Sequence, residues 1–218
     1  SAINDSSIVY SNTNGNTWTA VYTANTNDVN GAVTYSVAFS DIAENAGTPV
    51  TSGSGNVTTD TAAPTLSDVS ISSNNTIQSK AVPNDIVSLT FTASEAIQSP
   101  TVTFSSGGAA VNGSISISNT SGNNWTASFT AASNDTAGPV TYSIAFSDTA
   151  GNAGTAVTAT TDTSSVAVVI DSDLPILFSS TPSDDSRAVK LDQNIVLKFS
   201  EEVTAGSGKI NLFDVNDE

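Results

Sequence analysis

The side chains able to do chemistry in this 218-residue chain are almost all carboxylates: 21 Asp and Glu, against five Lys and Arg and no His, Cys or Met. Without imidazole or thiolate there is no Ser-His-Asp or Cys-His catalysis, no nitrogen- or sulfur-ligated metal and no disulfide. Oxygen chemistry remains. Two carboxyls can work across a glycosidic bond, or several can hold a hard cation such as Ca²⁺, which takes about 6–8 oxygens in a tolerant geometry. The obvious pairs, Asp184-Asp185 and Glu201-Glu202, are sequence neighbours. Neighbours on a strand face opposite ways, so neither pair flanks one bond. There is no phosphate-cradling glycine loop, no EF-hand spacing and no glycine-rich calcium nonapeptide. The chain therefore reads as non-catalytic.

A formal charge of −16 repels phosphate backbones and anionic headgroups alike, which argues against nucleic acid and membrane surfaces as partners. Only 12% of residues are charged, against about 25% in ordinary domains, and Thr, Ser, Asn, Gly and Ala fill the difference. Regularly spaced Val, Ile, Phe, Tyr and Trp set the chain apart from disordered sequences of similar polarity. No apolar run approaches the roughly 20 residues that span a bilayer. The lack of cysteine suits a bacterial extracellular protein without disulfide staples. Lys80 alone among the basic residues precedes Arg187; Lys190, Lys198 and Lys209 follow it.

A repeat determines where the carboxylates stand. Residues 11–51 align with 118–158 at an offset of 107, with 28 of 41 positions identical, including Trp18/Trp125, Asp28/Asp135, Tyr35/Tyr142, Phe39/Phe146, Asp41/Asp148 and Asn45/Asn152. That period is too long for a solenoid turn and suits one small domain. Asp60-Thr-Ala-Ala-Pro64 recurs as Asp171-Ser-Asp-Leu-Pro175, and Ile86–Phe91 with Ser94-Glu95 as Ile195–Phe199 with Ser200-Glu201. The expected organisation is the back half of one repeat (1–62), a whole repeat (63–171) and the front half of a further, divergent repeat (172–218), together a window on a longer tandem array.

Within 63–171 the apolar period is 2. Ile115 and Ile117 alternate with Ser, and Val140, Tyr142, Ile144 and Phe146 with Thr, Ser and Ala. Turn signals at 83–85, 105–108, 121–124, 134–135 and 148–152 divide the pattern. About seven short strands in one such repeat fit an all-β fold of tandem immunoglobulin-like Greek-key β-sandwiches. Trp125 is expected as a core aromatic and Tyr142 is a candidate tyrosine corner.

Such a sandwich places the loops after its second and sixth strands at the end where the chain comes in. That brings Glu95, Asp148 and Asn152 toward Asp60 on the incoming linker: three carboxylates and an amide oxygen, a set suited to Ca²⁺. Asp28, from the opposite end of the preceding repeat, is in reach of the same junction. The next junction gathers Asp171, Asp173 and Glu201, with Asp135 in the corresponding place. In 1–62 the counterparts are Asp41, Glu44 and Asn45. The competing reading is turn chemistry, since Asp and Asn bond their own backbone two residues on, and duplication alone repeats them. Convergence on one end and the uncompensated charge favour the cation.

The segments Asp60-Thr-Ala-Ala-Pro64, Phe91-Thr-Ala-Ser-Glu95 and Phe146-Ser-Asp-Thr-Ala-Gly-Asn152 resemble bacterial Ig-like repeats, which build the stalks of large secreted or surface-anchored adhesins, RTX-type and biofilm-associated proteins among them. Residues 175–203, with Phe199-Ser-Glu-Glu202, are similar to another bacterial Ig-like variety. The resemblance implies an extracellular or bacterial cell-surface location, neighbouring repeats of the same protein as partners, and interdomain calcium that stiffens the stalk. Three functions stand as expectations. The first is a structural spacer. The second is a fibre subunit whose half-sandwiches, 1–60 and 172–218, complete each other head to tail. The third is a module binding surface polysaccharide or ice through exposed Thr and Asn, although neither an aromatic platform nor a long Thr array is evident in the sequence.

Overall fold

Alternation of β-branched and aromatic side chains with Ser and Thr is what a strand with one dry face requires, and the computed structural model renders that pattern as strands. It describes residues 8–161, 167–183, 186 and 192–207. Among these there is no helix, hence none long and apolar enough to cross a membrane. The chain divides into two compact units, Ser1–Asp171 and Ser172–Glu218.

The first unit begins with a hairpin of β1 (Val9–Asn14) and β2 (Thr17–Val21), followed by the short pair β3 (Gly31–Ala32) and β4 (Thr58–Thr59). Then come β5 (Leu66–Ser73), β6 (Lys80–Ala81), β7 (Ile86–Ala93), β8 (Thr101–Ser106), β9 (Ala109–Ala110), β10 (Ser116–Ser121), β11 (Asn124–Thr130), β12 (Gly138–Ala145) and β13 (Val169–Ile170). They form two sheets, β10-β11-β7-β5 and β6-β13-β12-β8-β9. All pairs are antiparallel except β6 with β13.

Strand β7 shows why the sheets meet. Val87, Leu89, Phe91 and Ala93 are buried while Ser88, Thr90 and Thr92 turn outward. The buried faces of both sheets make one cluster, with Ile71, Leu89 and Phe129 from one side and Phe104, Tyr142 and Ile144 from the other. The rings of Phe104 and Phe129 join the layers, 4.9 Å between centroids and tilted by 47°, a favourable non-stacked geometry. The result is an all-β, β-sandwich-like arrangement around a dry core. Trp125 is partly buried and packs against that core rather than lying within it. Among the described residues the buried Tyr142 hydroxyl has no hydrogen-bond partner, so Tyr142 is a core ring and not a tyrosine corner, which would bond back to the main chain.

The outer face of the four-stranded sheet is built from small polar side chains in register. Ser116, Ser128, Ser88 and Ser72 lie side by side, as do Ser118, Thr126, Thr90 and Ser70, and then Ser121, Asn124, Thr92 and Ser67. Thr92 donates to Asn124 Oδ1 at 2.8 Å along the last row.

The β1–β2 register is that of β10–β11 shifted by 107, with the same irregularity after Asn12 and Asn119. Beyond it, the Val37–Val50 bridge matches Ile144–Val157. Burial does not match. Ile144 is 0% exposed and Val37 48%, and Trp18, Tyr35 and Phe39 are likewise exposed. Among the described residues no strand pair covers residues 8–59 as β5 and β7 cover their counterparts.

The second unit contains β14 (Leu177–Thr181) and β15 (Val196–Phe199), paired antiparallel. The Lys198 ammonium stands 5.3 Å from the Phe178 ring centroid.

Candidate metal centre

Three segments meet where the chain leads into β5. The loop after β7 is fixed by Ser94, whose Oγ accepts from Thr65 N at 3.0 Å and whose N donates to Thr65 O at 2.9 Å. Two residues beyond Glu95, Ile97 bridges to Asp148, and Gln98 donates from its main chain to Ser147 O (2.9 Å) and from Nε2 to Asp148 O (3.0 Å). The loop after β12 is tied to the incoming segment by Asn152 Nδ2, which donates to Asp60 O at 3.0 Å.

These ties bring Asp60, Glu95 and Asp148 together, with one carboxylate oxygen of each within 4.8 Å of the others. Oxygens at about 2.3–2.6 Å from one Ca²⁺ are at most about 5 Å apart, so the three can share an ion. Asp148 is 1% exposed. Its Oδ1 accepts from Gly151 N (2.6 Å) and Asn152 N (2.8 Å), and its Oδ2 from Asn152 Nδ2 (2.7 Å). A carboxylate offers about four lone-pair sites, most of which these donors occupy. Burial pushes the Asp148 carboxyl up, but the bonds from Asn152 and the Gly151 and Ala150 main chain outweigh it and hold it below the usual range. Asp60 Oδ1 accepts from Ala62 N (3.1 Å) and Asn30 Nδ2 (3.2 Å). No donor reaches the Glu95 carboxylate among the described residues.

Residues 1–171 supply no balancing charge at this end of the sandwich. Lys80 is the only Lys or Arg in residues 1–171. It sits in β6, which follows β5 and precedes β7, hence at the far end of strands about 25 Å long. The Debye length in physiological salt is about 8 Å. Three carboxylates thus meet with no Lys or Arg of the first unit beside them, and a hard divalent cation matches that donor set.

Asn152 enters as a donor: its Nδ2 faces Asp148 and the Asp60 carbonyl, where the sequence suggested an amide oxygen ligand. It positions the carboxylate. Asp41 and Asn45 build the same loop in 8–59, with Asp41 Oδ1 accepting from Ala43 N (2.9 Å) and Asn45 N (2.8 Å), and Oδ2 from Asn45 Nδ2 (2.9 Å). The Asn45 bonds, stronger than the slight burial that opposes them, hold the Asp41 carboxyl low. Glu44 occupies the left-handed position filled by Gly151 in the other loop.

Asp28 and Asp135 do not join the cluster. Asp135 is buried and closes its own turn, accepting from Asn112 N (2.7 Å), Asn112 Nδ2 (3.0 Å) and Ala132 N (2.8 Å). Burial pushes it up, and those bonds bring it below the usual range. Asp28 accepts from the Tyr22 hydroxyl and from Asn25 N (2.8 Å), and the Tyr22 bond is the main cause of its lowered pKa. For both, turn chemistry is the structural role. The residue that reaches Asp60 from 8–59 is Asn30, whose Oδ1 accepts from Thr61 N and Oγ1, both at 2.8 Å. No sequence signal singled it out, because its counterpart at the 107 offset is Ala137.

Asp171 follows β13 in the first unit, its N donating to Ala81 O at 2.9 Å. Asp173 and Glu201 belong to the second unit and line a cavity of about 340 Å³ with Leu174, Ile176 and Ser200. Glu201 Oε1 is buried there without a hydrogen-bond partner among the described residues. Asp184 and Asp185 lie outside the described residues. Comparison with protein-family models, curated proteins and solved structures finds no match to this chain.

Proposed function

We propose that this chain is a non-catalytic spacer segment of tandem Ig-like domains from an extracellular bacterial adhesin, with its linker clamped by calcium. One observation carries the reading: linker residue Asp60 meets the loop carboxylates Glu95 and Asp148 at the leading end of the sandwich. A calcium ion there ties linker to domain and removes a hinge. Asp60, Glu95 and Asp148 are the ligands, and Asn152 orients two of the three segments. The Ig-like reading is supported by the strand order, in which β10-β11-β7-β5 and β13-β12-β8 follow the order D-E-B-A and G-F-C of that fold. Tandem repetition is supported by strand registers that recur at 107. Isothermal titration with CaCl₂ tests the site. Saturable binding that disappears in Glu95→Gln supports it, and an isotherm unchanged by Glu95→Gln, or flat from the start, refutes it.

The three registered rows of Ser, Thr and Asn on the outer sheet face favour a second reading, a module for surface polysaccharide or ice. Their spacing is about 4.8 Å across strands and 6.8 Å along them. The rows were not legible as an array in the sequence because they are assembled from four separated strands. Ice-shaping and glycan-array assays decide it: activity lost in Thr90→Tyr supports a binding face, and no activity in the parent chain removes it.

A further inference from the structure

We propose that Asn30 is the positioning residue of the Asp60–Glu95–Asp148 site, so that residues 8–59 set how tightly an ion is held there and the ion in turn fixes residues 8–59. This rests on the calcium reading and deepens it, by naming a residue outside the sandwich that governs the site. The linker that carries Asp60 is held from both sides. From the sandwich, Asn152 Nδ2 donates to Asp60 O at 3.0 Å. From 8–59 the grip is closer. Thr59 Oγ1 donates to Val29 O (2.7 Å) and Gly31 O (3.3 Å), the carbonyls on either side of Asn30. Gly31 pairs with Thr59 at a φ of 136°, a conformation rare for residues with a side chain. Asn30 Oδ1 then accepts from Thr61 N and Oγ1, both at 2.8 Å, while Nδ2 donates to Asp60 Oδ1 at 3.2 Å.

The two ends of one amide thus act differently. The oxygen holds the main chain just past Asp60, and the nitrogen holds the Asp60 carboxylate. Without Asn30 that carboxylate would keep a single donor among the described residues, Ala62 N at 3.1 Å. A ligand fixed before the ion arrives loses less freedom when the ion binds. Partners that orient a ligand in this way typically change metal affinity by about 10–100-fold. Glu95 and Asp148 both belong to the sandwich, so Asp60 is the ligand whose place depends on residues 8–59, and Asn30 is the side chain that sets it.

Duplication does not account for the grip. Gly138 pairs with Ile170 as Gly31 pairs with Thr59, but the residue before Gly138 is Ala137, which has no amide to offer Asp171. Asn30 is particular to the joint at Asp60. Its effect is also reciprocal: the factor it adds to calcium affinity is the factor by which calcium favours the closed Asn30 bonds. The Thr61 amide reports the closed state, because its hydrogen is the one Asn30 Oδ1 accepts.

Isothermal titration with CaCl₂ and hydrogen exchange at the Thr61 amide, both on the full chain, test this. Asn30→Ala is expected to weaken calcium binding about tenfold or more. Its melting temperature in EDTA stays that of the parent, since Asn30 is exposed and lies outside the 63–171 core. Asn25→Ala removes another exposed amide of 8–59, one that bonds Tyr22 and Asp28, and leaves the affinity unchanged. In the parent, calcium slows exchange of the Thr61 amide by about the factor that Asn30→Ala costs in affinity. In Asn30→Ala that amide has lost its acceptor and exchanges quickly. Equal affinity in the parent and Asn30→Ala overturns the proposal and leaves the calcium reading standing, as does a Thr61 amide in the parent that calcium does not slow. A loss in Asn25→Ala as large as that in Asn30→Ala also overturns it, because any disturbance of 8–59 would then suffice. A parent chain that binds no calcium removes the calcium reading and this proposal with it.

Discussion

Ile144 and Val37 form a matched pair for testing where this chain has a core. They sit 107 residues apart, and each exchanges two main-chain bonds with its partner: Ile144 with Val157 at 2.9 and 3.1 Å, Val37 with Val50 at 2.8 and 3.0 Å. Local structure is the same and burial is opposite, 0% against 48% exposed. Truncating a buried Ile to Ala removes its transfer free energy and leaves a cavity, at a cost of about 2–5 kcal/mol. Truncating a half-exposed Val away from any such contact stays within about 0.5 kcal/mol. With a urea m-value of about 1.5 kcal/mol per molar for a domain of this size, Ile144→Ala lowers the midpoint by roughly 1.5–3 M. Val37→Ala leaves it in place. Equilibrium urea titration followed by circular dichroism, in dilute protein where chains are separate, reads both. Equal shifts for the two variants would refute the account, because 8–59 would then possess a core of its own. A negligible shift in Ile144→Ala would refute the two-sheet core directly.

Two further outcomes follow from single contacts. A Cβ added at Gly154 would overlap the Phe146 ring, which is itself buried, so Gly154→Ala lowers the melting temperature by about 4 °C or more for each kcal/mol lost; an unchanged value in a thermal scan contradicts that packing. Asp148 and Asp135 have depressed pKa values in the folded state. Their contribution is present above the unfolded carboxylate pKa of about 3.9 and is lost as pH falls through the lower folded values. Burial pushes Tyr142 up to about 12, so its contribution is complete below about pH 10 and lost as pH rises toward 12. Melting temperature against pH is therefore expected to be flat near neutrality and to fall at both extremes, and a fall centred near pH 6 would contradict both assignments.

Much of the fold could be read from alternation alone. Val87, Leu89 and Phe91 face inward because each is two residues from the next, and period 2 is visible in one sequence. The parallel β6–β13 pair was not legible, because it joins residues 80–81 to 169–170 through two-residue strands without a pattern of their own. The convergence of Asp60, Glu95 and Asp148 was legible once loops had been assigned to sandwich ends, since topology fixes which loops share an end. Side-chain direction was not. Whether Asn152 offers nitrogen or oxygen depends on hydrogen bonds within its own loop, and the burial of Asp135 depends on Asn112, 23 residues away. Repetition also concealed a difference. Asp28 and Asp135 recur at 107, yet Tyr22 supplies a hydroxyl to Asp28 where Phe129 has none to give.

The central claim is that calcium binds at Asp60, Glu95 and Asp148, and thermal unfolding in excess EDTA, in millimolar CaCl₂ and in MgCl₂ tests it most directly. An affinity typical of extracellular modules, about 10⁻⁴–10⁻³ M, gives about 1.5–2.7 kcal/mol near 10 mM calcium. For a domain of this size that is a rise on the order of 5–15 °C. The account predicts that rise with calcium, little with magnesium, and its loss in Glu95→Gln, whose carboxylate has no other partner to give up among the described residues. Equal melting temperatures in EDTA and calcium, with the β-sheet spectrum intact, would contradict it and leave these carboxylates as turn-forming residues.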